Sequence, residues 1–288
     1  MGRPLLLDAW ERPVTSVIIA TCAWVWYYLN RRGLGYEDVG VSYKKAVLER
    51  QYWRCLTASF SHISPLHLLF NASSLWSLGV VEQMGSRGPG WGSEWYLRYT
   101  LVMLVGTMVL VLASYHALVR FARLERYENV TAVGYSCVVF GWMTVLAVKR
   151  PTHAVKFFGL VELPVNLAPF GSLIFTSVVV PKASFVGHLA GIAMGYFVAW
   201  DLFAWMDRYW TAVLAFWIAI VFFASLKATT EVNLPFIQVL GGGGSRGTRS
   251  PGSDGGSAAA RRGRRAAAMI RTPSRACSAE RTKTSDDR

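Results

Sequence analysis

The sequence predicts an all-α polytopic membrane protein, and three observations carry that prediction. Of its 288 residues 53% are hydrophobic and only 16% charged, against about 25% charged in ordinary soluble domains. Seven stretches are long and apolar enough to cross a bilayer core, which takes roughly 17–25 residues. The charge that does exist is gathered at one end: residues 241–288 hold 11 of the 30 basic and 4 of the 17 acidic residues, so this tail carries +7 of the net +13. The four cysteines, Cys22, Cys55, Cys137 and Cys277, show no CxxC or zinc-like spacing, which excludes a disulfide scaffold and a cysteine-rich metal site.

The expected spans are 14–30, 66–81, 99–119, 129–148, 163–181, 183–200 and 209–226. The first is uncharged throughout, and with no small-residue cleavage site and further spans behind it, it reads as a retained helix. The seventh, YWTAVLAFWIAIVFFASL, is apolar at 16 of 18 positions, which sets aside a buried helix of a soluble domain as the alternative. In lipid the backbone must satisfy its own hydrogen bonds, which at this length means helices. Residues 31–65 mix Arg31, Arg32, Lys44 and Lys45 with Tyr52, Trp53, Leu56 and Phe60, a blend suited to a segment lying at the membrane interface. The stretch 241–265 is dominated by Gly, Ser and Arg and cannot bury enough surface to fold; a disordered basic tail is expected over 229–288.

Parity brings the chemistry together. The second, fourth and sixth spans run in one direction, so their N-terminal ends open on the same face of the membrane. The second begins with His67 and Asn71, four apart and on one helical face. The fourth holds Ser136 within GYSCVVFG (134–141), and the sixth holds His188 near its start. With a rise of about 1.5 Å per residue, all of these lie within roughly 10 Å of one surface. A lone serine in such a helix is ordinarily packing glue, a lone histidine is ordinarily structural, and Asn71 alone would be an interhelical hydrogen bond. Their joint placement on one side is not what packing produces, and polar groups in the bilayer point to function. In GHLAGIAMG, Gly187, Gly191 and Gly195 repeat every fourth residue, the small-residue pattern that lets two membrane helices approach closely. That approach would bring the imidazole of His188 to the Ser136 hydroxyl, the geometry acyl transfer needs, with His67, Asn71 and the Ser136 N–H as donors to an oxyanion. No Asp or Glu lies near His188 in sequence; Asp201 falls at the far end of the sixth span, so a dyad is expected and not a triad.

Trp53-Arg54 in the first loop, FSHISPLHLLFN (60–71), GYSCVVFG and GHLAGIAMG, in that order and on those spans, resemble the rhomboid intramembrane serine proteases, with a nearer likeness to plant rhomboid-like proteins carrying GYSC. The resemblance covers about 50–200. It implies a six-helix catalytic core (14–206) behind a short N-terminal segment (1–13), with one added C-terminal transmembrane helix (207–228), a known family arrangement. It implies Ser136 as nucleophile, His188 as general base and acid, His67 and Asn71 as oxyanion helpers, and structural roles for Trp53, Arg54, Gly134, Gly187, Gly191 and Gly195. His62 matches a histidine expected to be structural, and Glu82 a position often acidic. Two residues depart from the common pattern: Cys137 stands where the family usually has Gly after the nucleophile, and Ala72 where Met often follows the Asn.

The leading expectation is an endopeptidase that cuts single-span membrane proteins within the bilayer, needing no metal or other cofactor. The alternative is a catalytically weak or silent relative that binds membrane clients for trafficking or degradation; such relatives typically lack the Ser or His present here. A channel or transporter would show paired charges along several spans, which are missing. Nucleic acid is not an expected partner, although Arg261, Arg262, Arg264 and Arg265 could bind anionic surfaces. A multi-pass location in the secretory pathway is expected (endoplasmic reticulum, Golgi or plasma membrane), with the N-terminus cytosolic and the site luminal. The positive-inside count runs against that orientation, with eight Lys/Arg in the cytosolic segments and ten in the luminal loops; the embedded first loop accounts for the excess.

Overall fold

Pro13 and Gly33 bracket the first long helix, and the same punctuation sets the limits of several others. A computed structural model describes residues 5–83, 92–150, 154–157, 161–164, 167–179 and 184–230. The chain separates into two units, 1–240 and 241–288, and all the described residues belong to the first. The expected disordered tail lies outside them from residue 231 onward.

Helix α1 (Leu5–Trp10) leads into α2 (Pro13–Arg32), which opens on a proline whose missing N–H has no intrahelical partner to lose. It closes on Gly33 at φ +66°, where the Gly33 and Leu34 N–H groups cap the carbonyls of Asn30 and Leu29. The first loop then folds into α3 (Tyr36–Val39), a π turn over Lys44–Leu48, and α4 (Trp53–Phe60). Helix α5 (Pro65–Leu78) starts from Ser64, whose hydroxyl accepts the His67 N–H, and a break at Gly79 separates it from α6 (Val80–Gln83). Then follow α7 (Ser93–Arg120), a 3₁₀ turn at Glu125–Glu128 and α8 (Ser136–Lys149). A two-stranded antiparallel hairpin, β1 (Ala154–Phe157) and β2 (Val161–Pro164), pairs Lys156 with Glu162. The chain ends in α9 (Ala168–Val179), α10 (Phe185–Ala199) and α11 (Arg208–Thr229).

The architecture is that of a helical membrane protein centred on α8, in which every residue from Cys137 to Ala147 is buried. Trp142, with no exposed surface, stacks on Tyr96 at 4.4 Å and donates its indole N–H to Thr100 at 3.1 Å. Helix α10 packs against α8 and α7, and α9 lies against α8 and α10. Among the described helices α7 and α11 are long and apolar enough by themselves to cross a membrane, and α8, α9 and α10 are shorter apolar helices. Helix α11 keeps Phe216, Trp217, Val221 and Phe223 exposed, as a surface facing lipid would be.

Two sequence boundaries are corrected. The fourth span was expected from 129, but the helix begins at Ser136 itself. Residues before it run extended: Val41 and Ala132 exchange backbone hydrogen bonds, the Gly134 N–H donates to the Ala58 carbonyl at 2.8 Å, and Gly134 sits at φ +110°. The fifth span was expected from 163, where β2 still runs. Pro164 ends that strand and the helix opens only at Ala168, with Pro169 in its first turn. Glu82 caps a helix that is remote in sequence. Its carboxylate, 2% exposed, accepts the N–H groups of Val14 and Thr15 at 2.9 Å and the Thr15 hydroxyl at 2.8 Å, placing a negative group on the positive end of α2.

Candidate active site

The site is built by the meeting of α8 and α10, and glycines decide how close they come. A Cβ on Gly191 would lie 2.1 Å from the Cys137 carbonyl oxygen, and one on Gly195 would lie 2.5 Å from that of Gly141. Gly187 is looser, 3.0 Å from the Cys137 sulfur and from the Ser184 hydroxyl. Two of the three repeating glycines are therefore points where backbone meets backbone. The approach sets His188, the fourth residue of α10, beside Ser136, the first of α8. His188 Nε2 and Ser136 Oγ stand 2.9 Å apart. The imidazole is 4% exposed and lies flat on the Phe140 ring, centroids 4.3 Å apart and planes inclined at 21°. Phe140, one helical turn after Ser136, shelves the histidine from the serine's own helix.

His67 and Asn71, both on α5, line the same cavity. Gly134 makes room for the His67 ring: a Cβ there would meet it at 2.5 Å, and φ is +110° as well, so a side chain at 134 is excluded twice over. Asn71 is buried; its Nδ2 donates back to the His67 carbonyl at 2.9 Å, while its Oδ1 is buried without a partner. An amide nitrogen carries two protons, so one remains for another acceptor. His62 has no exposed surface, its ring meets that of His67 edge-on at 4.9 Å, and its Nδ1 lies 3.2 Å from the Phe60 carbonyl. Burial, and secondarily the neighbouring His67, pushes the His62 imidazole down to about 4.

These groups line one cavity of about 180 Å³. Ser136, His188, His67, Asn71 and Gly134 all border it, with Val139, Phe140, Met143 and Phe175 as apolar walls and Ser172, Thr176 and Ser184 as scattered hydroxyls. The arrangement holds the Ser136 hydroxyl against an imidazole in a largely apolar pocket, with N–H groups on α5 and at the start of α8, the set of groups that acyl transfer needs. Asp201 is far from this chemistry and pairs with Lys149 at 2.5 Å, tying the distal ends of α8 and α10. Among the described residues no cluster of His, Cys, Asp or Glu could hold a metal.

Trp53 and Arg54 stand outside the cavity. Arg54 reaches the carbonyls of Asp38 and Gly40 at 2.6 and 3.2 Å and packs over the Trp53 ring. Burial lowers its affinity for the proton, while Glu49, Asp38 and Glu37 nearby raise it. The Trp53 indole donates to Thr229 on α11 at 2.9 Å. Sequence reading assigned no part to Phe140 or Thr176. Phe140 had a signal, its position four residues after Ser136; Thr176 had none.

Residues 49–205, more than half of the chain, match the family described as Rhomboid domain. Rhomboid-related protein 4 of Homo sapiens is 29% identical over 185 residues, covering 63% of this chain and 56% of that protein. Rhomboid-like protein 14, mitochondrial, of Arabidopsis thaliana is 26% identical over 189 residues, covering 65% of this chain and 55% of that protein. Rhomboid-type serine protease 2 of Debaryomyces hansenii is 39% identical over 79 residues, covering 25% of this chain and 28% of that protein. The chain spans about half the length of the first two of these relatives. The matched stretch takes in α4 through α10, every element that contributes to the cavity except α3 and the loop after it, and on that match the chain belongs to the rhomboid family.

Proposed function

We propose that this chain is an intramembrane serine endopeptidase that cuts single-span membrane proteins. The observation that carries the reading is the 2.9 Å approach of His188 Nε2 to Ser136 Oγ inside a walled cavity. In the proposed reaction the Ser136 oxygen bonds to the scissile carbonyl carbon as its proton passes to His188 Nε2. The oxyanion that forms is held by His67, by the spare proton of Asn71 Nδ2 and by the Ser136 N–H. That N–H lies in the first turn of α8, where amides have no intrahelical acceptor and the helix dipole favours negative charge. The C–N bond then breaks, His188 returns the proton to the leaving amine, and a water activated by the same imidazole releases the acyl group. Cys137 in place of the usual glycine keeps the turn, since its small side chain packs toward Gly187.

The short length of α8 supports a site below the membrane surface. Its 14 residues measure about 21 Å against a hydrocarbon core of about 30 Å, so with Lys149 at one interface Ser136 lies inside the other. The extended stretch before it is tolerated at that depth because its backbone is paired, Ala132 with Val41 and Gly134 with Ala58. A substrate helix must unwind there to present a peptide bond, which favours small or helix-breaking residues near the cut. The reading includes six core helices in 14–206, α11 as a seventh, a cytosolic N-terminus and a luminal site in the secretory pathway; one relative's name instead describes a mitochondrial protein. Co-expression with tagged single-span proteins tests the activity. Wild type should release a fragment from at least one of them and Ser136→Ala from none, and cleavage by Ser136→Ala at the wild-type rate would end the serine reading.

A further inference from the structure

His188 has two ring nitrogens, and the dyad accounts for only one. Nε2 faces Ser136, while Nδ1 faces Oγ1 of Thr176 on α9 at 3.5 Å, the outer limit of a hydrogen bond. The direction of that contact follows from where the Thr176 proton goes. The hydroxyl donates back into its own helix, to the Ser172 carbonyl at 2.8 Å with the Leu173 carbonyl at 3.2 Å. A hydroxyl has a single proton and two lone pairs, so toward the imidazole Thr176 can only accept. A neutral imidazole facing an acceptor at Nδ1 carries its proton there, which leaves Nε2 with the lone pair that takes the proton from Ser136. Among the described residues no carboxylate stands at this nitrogen; the nearest acid in sequence, Asp201, is paired with Lys149.

We propose that Thr176 is a positioning residue that fixes His188 in its Nδ1–H tautomer and steadies the imidazolium formed when Ser136 gives up its proton. The proposal rests on the serine-protease reading above. It gives this dyad a third member of a different kind, a neutral hydroxyl from a third helix whose lone pair is oriented by an internal hydrogen bond. An uncharged acceptor stabilises the imidazolium less than a buried carboxylate would, so the effect of removing it is smaller than the roughly 10⁴-fold loss that follows when a triad carboxylate is replaced by an amide.

Valine is nearly isosteric with threonine and removes the acceptor, whereas serine keeps it. The test is the rate at which a fluorophosphonate phosphonylates Ser136, with loss of fluoride, in the purified full chain, a reaction that needs the base but no protein substrate. Thr176→Val should slow labelling about tenfold, Thr176→Ser should stay within about threefold of wild type, and His188→Ala should not label. For a cleavable substrate the Val variant should lower kcat with KM unchanged. Equal thermal stability of the two variants excludes misfolding as the cause. Val labelling at the wild-type rate, or Ser failing as badly as Val, overturns the inference. Failure of wild type itself to label would overturn the serine-protease reading instead, which keeps the two apart.

Discussion

At Gly191 the helices that carry Ser136 and His188 come so close that a Cβ would sit 2.1 Å from the Cys137 carbonyl oxygen. Backbone cannot step aside as a long side chain does, so Gly191→Ala must push α10 away from α8. Overpacking of this kind costs about 1–3 kcal/mol and stretches the Ser136–His188 contact. Gly191→Ala should lose most of its activity, while Gly187→Ala, whose neighbours are the Cys137 sulfur and the Ser184 hydroxyl at 3.0 Å, should keep much of its own; equal activities would contradict the packing account. His62 makes a different prediction. Its folded-state value of about 4 lies below the ordinary 6.5, so between those limits the unfolded chain binds more protons than the folded one. Its burial therefore costs nothing above pH 6.5 and destabilises progressively as pH falls toward 4. Thermal unfolding of detergent-solubilised protein should show a drop in Tm across that window, and the drop should shrink in His62→Phe; an unchanged pH profile in the variant would show that His62 takes no part.

Among the elements, α11 is tied to the rest by polar contacts at both of its ends. At its start Arg98 on α7 holds Glu94 at 2.5 Å, Thr211 at 3.2 Å and the Met206 carbonyl at 2.5 Å. Near its end the Ser225 hydroxyl donates to the Arg50 carbonyl at 3.0 Å and accepts the Trp53 N–H at 3.3 Å, while Thr229 accepts the Trp53 indole N–H. Trp53 opens α4, and α4 in turn supplies the Ala58 carbonyl that accepts the Gly134 N–H two residues before Ser136. Thr229→Val and Ser225→Ala should each cost about 1 kcal/mol of stability, and Arg98→Met should make the segment before α11 more open to protease. A protein cut short before α11 should lose activity as well as stability, because α4 loses its anchor; full activity without α11 would make the helix a passive addition. The apolar run of α11 and the Gly187–Gly191–Gly195 repeat were both readable in sequence, because each is a periodic pattern on a single element. The start of α8 was not: hydropathy continues smoothly through 129–135, and only long-range contacts, Val41 to Ala132 and Ala58 to Gly134, show that the segment runs extended. The β1–β2 hairpin escaped for a similar reason, since its two strands of four residues are too short for a period-two signal to stand out. Thr176 escaped because its meaning lies in where one proton points, which no spacing encodes.

Across the whole molecule the proposed topology has one readable consequence. Seven spans from a cytosolic start bring the tail out in the lumen, so a glycosylation sequon engineered between Gly241 and Gly256 should be modified. A tail left unmodified and open to cytosolic protease would mean that 208–229 does not span or that the chain is inverted, and a tag on the N-terminus separates the two. The central claim is that Ser136 and His188 act as one catalytic unit, and covalent labelling tests it most directly. Membranes containing the full chain are treated with a fluorophosphonate probe and the modified residue is located by peptide mass. The account predicts the label on Ser136 in wild type and its loss in both Ser136→Ala and His188→Ala, since groups that act as a unit fail together. A label that persists undiminished in His188→Ala, or that maps to another residue in wild type, would contradict it.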